Sequence, residues 1–273
     1  MTVKLIALDL DGTTLNNDGI ISEENREALQ KAADKGVNIV VATGRPRTAL
    51  PGDVFEIDAI RYVLTSNGAR ITDLKENRNI YENCMSPLTA ESSVKLLRQY
   101  DYVIECFIDG VAYIDGAYYD KVKNSGKSFR NVSYILNTRK PVDDIYRMIL
   151  DNSDSIENIN VNFEDISEKP AMREKLLTIP EATITSSFNH NLEIGGANTS
   201  KAEALKCMGE ILGVKPEEMM AVGDSPNDIA MLKVAGFPVA VGNAKDEVKA
   251  VAKYVARTNH ENGVADAVEH FVL

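Results

Sequence analysis

Apolar and polar positions along this chain follow two rhythms. The run "VKLIALD" at 3–9 is almost unbroken in apolar residues and reads as a strand buried on both faces. "SEENREALQKAADKG" at 22–36 switches to helical spacing, with Ser22 placed to cap it, acidic residues in the first turn and Gly36 at the stop. "VNIVVATG" at 37–44 is a second buried strand. Strand, helix and strand with no room for a hairpin make a βαβ unit, and such units build a parallel sheet with helices on both faces. The rhythm returns at the far end: a helix over 200–214, a strand over 218–224, a short helix over 226–236, a strand in "FPVAVGN", a helix in "AKDEVKAVA", a short strand in "YVAR" and a last helix from about 262.

The middle of the chain reads differently. A helix is predicted over 86–101, with Pro87 in its first turn. "YVIECFIDGVAYID" gives two strands joined at Asp109-Gly110, a hairpin signal. Further strands are expected at 156–163 and 181–187, and helices near 142–151 and 168–177. This mixture suits an α+β module rather than more βαβ units. The expected organisation is α/β, with a parallel-sheet core formed by 1–82 plus 188–273 and an inserted α+β domain at 83–187.

Composition narrows the partners. The chain has 273 residues, 44% of them apolar, and a formal net charge of −11 from 41 acidic and 30 basic side chains. Such a balance argues against nucleic acid or an anionic membrane as partner, while leaving room for a small anion held by a few local cations. Cys84, Cys106 and Cys207 are odd in number and widely spaced, which suits buried thiols in a reducing compartment better than disulfides or zinc. No apolar run has the ~18 residues of a membrane span, and charged residues come too early for a signal peptide. A cytoplasmic protein is expected.

The chemistry gathers at predicted strand ends. Asp9 and Asp11, two apart, share a strand face as the first strand runs out. On their own, residues 9–12 fit an Asp-Gly turn as well as a site. Three further strand ends add Thr43-Gly44-Arg45, then Lys201 at a helix start after the strand "NLEI", then Gly223-Asp224 with Asn227 and Asp228 just beyond. In a parallel sheet these all fall on one edge, where ligands of open α/β sheets bind. Clustered carboxylates without His or Cys suit a hard cation such as Mg2+. A hydroxyl, backbone N–H groups near Gly44 and the Lys201 ammonium suit phosphate oxygens. One carboxylate then remains to attack phosphorus, since an ionised aspartate needs no base to activate it.

"DLDGTTL", "TGR", Lys201 and "GDSPND", in this order, resemble the four motifs of the haloacid dehalogenase superfamily of phosphotransferases. The long insertion, "SNGA" at 66–69 and "LEIGGANTSKAEAL" at 192–205 resemble its Cof-type branch of sugar phosphatases, with a large α/β cap. The resemblance implies a Rossmann-like core with Asp9 as nucleophile and Mg2+ ligand. It implies Asp11 as general acid/base, contributing its backbone carbonyl to the metal and having a raised pKa. It places phosphate on Thr43 and on the backbone N–H groups of Leu10 and Gly44, with Lys201 bridging phosphate and Asp9. It makes Asp224 a Mg2+ ligand, Asn227 a phosphate-holding or Lys201-orienting residue, and Asp228 a metal-site or supporting carboxylate. Ala202 stands where many relatives carry glycine, a departure that touches no catalytic role.

The expected activity is Mg2+-dependent hydrolysis of a small phosphorylated metabolite by a monomer or weak homo-oligomer, with the inserted domain selecting the leaving group. A phosphomutase using the same aspartate and a phospho-acceptor module are the alternatives; release of inorganic phosphate separates them. "SGKS" at 125–128 lacks the earlier glycine of a phosphate loop, since Lys121 stands there. His190, His260 and His270 are given no ligand role, although His190 opens the strand expected to return to the core. "AYYD" at 117–120 reads as packing, with Lys121 and Lys123 beside it as candidates for substrate contact.

Overall fold

The computed structural model describes residues 2–273. The chain divides into two compact units. One comprises residues up to Gly44, Leu50–Glu82 and Ser200–Leu273; the other comprises Arg45–Ala49 and Asn83–Thr199. Among the described residues no helix is long and apolar enough to cross a membrane, and no disulfide joins the three cysteines.

The first unit carries β1 (Leu5–Leu8), β2 (Asn38–Ala42), β3 (Ile60–Thr65), β4 (Arg70–Asp73) and β5 (Arg78–Glu82) before the insertion. The second unit supplies β6 (Val103–Ile108), β7 (Val111–Asp115), β8 (Arg139–Val142), β9 (Ile156–Asn162), β10 (Thr183–Thr185) and β11 (Asn191–Gly195). The first unit then resumes with β12 (Met219–Gly223), β13 (Phe237–Ala240) and β14 (Tyr254–Val255).

The first sheet runs β14-β13-β12-β1-β2-β3-β4-β5. From β14 to β3 every pairing is parallel; β4 and β5 extend the edge antiparallel. β1, β12 and most of β2 are buried on both faces, as their unbroken apolar runs require. The helix Glu23–Asp34 is capped by Ser22, whose Oγ accepts from the Asn25 N–H at 3.3 Å. The helix Lys201–Leu212 is capped by Ser200, which accepts from the Glu203 N–H at 3.2 Å, and ends at Gly213 in the left-handed conformation.

The second sheet runs β10-β11-β9-β6-β7-β8. Its hairpin β6–β7 turns at Asp109-Gly110, both at positive φ, as the turn signal predicted. One face carries Ile104, Cys106, Ile108, Ile159, Val161, Leu192 and Ile194, packed with residues of the helices Pro87–Leu97 and Ile145–Asp151. The opposite face is polar along β9 and β11, where the alternation in "IENINVN" encodes Asn158, Asn160 and Asn162, and apolar toward β7, where Phe107, Ala112 and Ile114 share it and Ile114 packs with Val122 and Ile135.

Two expectations are corrected. The strand "NLEI" does not return to the first sheet: β11 pairs antiparallel with β9 and β10, so 188–199 goes with the second unit and the chain re-enters the first at Ser200. Antiparallel register satisfies the β11 backbone there, and its alternate residues Leu192 and Ile194 fill that unit's apolar core. His190 consequently stands in the second unit, its ring 5.5 Å from those of Phe188 and Phe129. Segment 45–49 also groups with the second unit, where the Thr48 N–H donates to the Gly110 carbonyl at 2.9 Å. The "AYYD" tyrosines pack as expected: Tyr118 stacks on Phe129, and the Tyr119 hydroxyl donates to the Leu136 carbonyl at 3.0 Å.

Candidate active site

The site forms where β12, β1 and β2, adjacent and parallel, deliver their C-terminal ends to one edge. Asp9 follows β1 directly, its N–H donating to the Val222 carbonyl at 3.0 Å. Leu10, Asp11 and Gly12 then turn sharply. Gly12 sits at φ +82°, and a Cβ there would stand 2.7 Å from Asp224 Oδ2. The turn therefore needs glycine twice over, for its backbone and for its neighbour. Thr14 Oγ1 bonds the Asp9 carbonyl at 2.5 Å, Asn243 Nδ2 holds the Gly12 carbonyl at 2.7 Å and Asn259 Nδ2 holds the Leu15 carbonyl at 2.8 Å.

Lys201, at the start of its helix, is 1% exposed. Its Nζ lies 2.5 Å from Asp9 Oδ1 and 2.7 Å from Asp228 Oδ1. The other Asp228 oxygen accepts the N–H groups of Asp224 and Ser225 at 3.1 and 3.0 Å. Asp228 thus ties the lysine to the loop after β12. A Cβ on Gly223 would stand 2.6 Å from the Asp228 Cβ, so the loop closes this tightly only over glycine. Asp224 is oriented by Thr13 Oγ1 and Ser225 Oγ, each at 3.0 Å. Carboxylate oxygens of Asp9, Asp224 and Asp228 lie within 4.8 Å of one another.

Thr43, directly after β2, is buried; its N–H donates to the Leu64 carbonyl at 2.9 Å and its carbonyl accepts the Asn67 N–H at 3.0 Å. Gly44 follows it. Asn227 Nδ2 donates to Asn67 Oδ1 at 3.2 Å, which links the fourth motif to "SNGA". Asp11 is partly exposed in the turn after Asp9.

The electrostatics are those of one ammonium among three carboxylates. Burial, and then Asp228, push Asp9 well above the ordinary carboxylate value, with Asp224 adding to the rise and Lys201 opposing it. Asp224 is raised too, by burial and by Asp228. Burial works against the Lys201 charge, but Asp228 and Asp9 outweigh it and hold the ammonium well above the usual lysine value. The cluster carries more negative charge than Lys201 balances. Its donor atoms are all hard oxygens, so a small divalent cation fits the deficit and the donor set together.

Sequence reasoning expected Asp9, Thr43, Lys201, Asp224 and Asp228 at one sheet edge; Asp9, Thr43 and Asp224 do follow β1, β2 and β12 directly, whereas Lys201 reaches Asp9 and Asp228 from a helix whose preceding strand lies in the other sheet. It missed the residues that hold the site in shape: Thr13, Ser225, Asn67, Asn243 and Asn259. Thr13 and Ser225 sit inside the quoted motifs and were legible as neighbours; Asn243 and Asn259 carry no local signal. Lys121, weighed for substrate contact, is exposed and paired to Glu164 at 3.1 Å.

Residues 6–268 match the family model of haloacid dehalogenase-like hydrolases. The 5-amino-6-(5-phospho-D-ribitylamino)uracil phosphatase YcsE of Bacillus subtilis is 35% identical over 274 residues, covering 99% of this chain and 96% of that protein. A solved haloacid dehalogenase-like hydrolase from B. subtilis superposes with a TM-score of 0.85 at 31% identity, covering 99% of this chain and all of the other. A subclass IIB sugar phosphatase shares the fold, with a TM-score of 0.82 at 23% identity over 98% of this chain and 99% of its own. The chain belongs to the haloacid dehalogenase-like hydrolases and is a phosphatase.

Proposed function

We propose that the chain is a Mg2+-dependent phosphatase of small phosphorylated metabolites that works through an aspartyl-phosphate on Asp9. The observation that carries this reading is Asp9 itself: a buried carboxylate at the end of the central strand, 2.5 Å from a buried lysine and within 4.8 Å of two further aspartates. An isolated structural aspartate has no reason to gather two more negative charges around it.

In this reading a carboxylate oxygen of Asp9 attacks phosphorus as the bond to the leaving oxygen breaks, and Asp11 gives its proton to that oxygen. Water then attacks the phosphorus, Asp11 takes its proton, and the Asp9 carboxylate leaves with inorganic phosphate released. Thr43 and the backbone N–H groups of Leu10 and Gly44 hold the phosphate, with Lys201 on its charge and Asn227 at its side. Asp9, Asp224 and the Asp11 carbonyl would hold Mg2+, with Asp228 steadying the group. Bound there, the ion would supply positive charge to the transferring phosphoryl group. The second unit selects the leaving group. YcsE carries the name of a phosphoribitylamino-uracil phosphatase, which favours a polyol or sugar phosphate here.

The test is phosphate release from a panel of phosphomonoesters with Mg2+, using Asp9→Asn as the comparison. Asp9→Asn should abolish both turnover and the acid-stable phosphoenzyme adduct while leaving a cooperative thermal transition. Undiminished turnover in a folded Asp9→Asn protein overturns the nucleophile assignment. Transfer of phosphate to a sugar hydroxyl without release indicates a mutase.

A further inference from the structure

The turn that follows β3 is strained, buried and tied to three parts of the site. Ser66, Asn67 and Gly68 stand at φ +51°, +55° and +95°, three successive residues in a region that residues other than glycine rarely adopt. Ser66 and Asn67 are buried. Backbone conformations of this kind persist only where the surroundings fix them, and they gather at functional sites. Here the surroundings are specific. The Asn67 N–H donates to the Thr43 carbonyl at 3.0 Å. The Asn67 side-chain Oδ1 accepts from Asn227 Nδ2 at 3.2 Å. Gly68 presses on the start of the helix Lys201–Leu212: a Cβ there would collide with the Ser200 carbonyl and stand 2.9 Å from the Ala204 Cβ. All of these residues belong to the first unit. One turn therefore touches the segments that supply Thr43-Gly44, Asn227 and Lys201.

The bond to Thr43 sets a direction. The peptide joining Thr43 and Gly44 is trans, and in a planar trans peptide the carbonyl and the following N–H point opposite ways. Anchoring the Thr43 carbonyl on Asn67 therefore aims the Gly44 N–H away from the turn. The Thr43 N–H is itself held by the Leu64 carbonyl at 2.9 Å, so the peptides on both sides of Thr43 are fixed. The side-chain bond holds the Asn227 amide by its Nδ2. Asparagine suits both tasks, because it tolerates the left-handed backbone better than most residues and its amide oxygen is an acceptor. We propose that Asn67 is a positioning residue for phosphoryl transfer, setting the aim of the Gly44 N–H through its own backbone N–H and the place of Asn227 through its side chain. The proposal rests on the phosphatase reading, in which Gly44 and Asn227 hold phosphate; Asn67 acts through them.

The experiment uses the full-length protein with Mg2+ and reads the Ki of inorganic phosphate as a product inhibitor, beside kcat with p-nitrophenyl phosphate. A smaller folded fraction lowers kcat and leaves Ki unmoved, so Ki separates positioning from stability. Asn67→Gly keeps the left-handed backbone and removes only the amide. Its Ki should rise and its kcat fall, each about tenfold. Asn227→Ala should show losses of similar size, and the double variant should be within about twofold of Asn227→Ala alone, because the two side chains act as one unit. Asn67→Ala also disfavours the turn, and its Ki should exceed that of Asn67→Gly by about threefold or more. Equal Ki in the two variants removes the aim given to the Gly44 N–H. A Ki within about twofold of the parent in folded Asn67→Gly overturns the proposal, as does a double variant whose losses multiply. If the parent protein releases no phosphate from any ester, p-nitrophenyl phosphate included, the phosphatase reading fails. Calorimetric titration with inorganic phosphate then decides the turn by itself: binding weakened in Asn67→Gly supports it, and unchanged or absent binding removes it.

Discussion

At the scale of residues, the site is a problem of charge. Lys201 faces Asp9 and Asp228 from a fully buried position. Lys201→Met leaves those carboxylates uncompensated and should cost about 3–5 kcal/mol of stability by urea unfolding. Turnover should fall about a hundredfold or more in whatever fraction stays folded. The raised Asp9 pKa gives a signed pH dependence. A carboxyl whose folded pKa lies above its unfolded value favours the fold fully below the unfolded pKa and loses that contribution as pH rises through the folded one. Asn carries no such penalty. In EDTA, therefore, Asp9→Asn should gain thermal stability relative to the parent protein as pH is raised from about 4 toward neutrality; a flat difference between the two melting curves contradicts the cause given. Mg2+ should raise the parent Tm more at pH near 8 than near 5, because protons and the cation compete for the same oxygens.

At the scale of elements, two short segments decide whether these side chains meet. The turn after β1 presses Gly12 onto Asp224. Gly12→Ala meets both a left-handed backbone, at about 1–2 kcal/mol, and a close contact with Asp224. The Mg2+ concentration for half-maximal phosphate release should rise with it, which a metal titration of activity reads directly. The helix that carries Lys201 begins at the Ser200 cap, and Ser200→Ala should cost about 1 kcal/mol in thermal unfolding while moving kcat far less than Lys201→Met does.

At the scale of the whole molecule, each unit has its own apolar core, one around the first sheet and one behind the apolar face of the second. The buried Glu105–Arg139 pair belongs to the second unit alone. Arg139→Met strands a buried carboxylate and should cost about 3–5 kcal/mol, whereas Glu105→Leu with Arg139→Met should recover most of that loss. Hydrogen exchange should show the loosening in peptides spanning β6 to β11. Equal loosening in single and double variants speaks against a charge-based cause.

The sequence by itself determined the parallel sheet and the identity of the clustered groups. Unbroken apolar runs such as β1 and β12 bury both faces only in a sheet covered on both sides, and every such strand points its C-terminal end to one edge. The βαβ rhythm therefore placed Asp9, Thr43 and Asp224 together before any contact was known. β3 to β5 escaped that rhythm because β4 and β5 add to the sheet antiparallel, with β5 at its edge and polar residues interleaved in both. β11 was assigned to the wrong sheet for a related reason: local alternation shows that a segment is a strand, while the partner that satisfies its backbone is chosen by tertiary register. Only the tertiary structure decided that Asp228 spends both its oxygens on Lys201 and the loop. Only it gathered the asparagines of β9 and β11 with Glu105 and Arg139 on one buried face. Those residues are far apart in the chain, and long-range pairing of strands leaves no local trace in sequence.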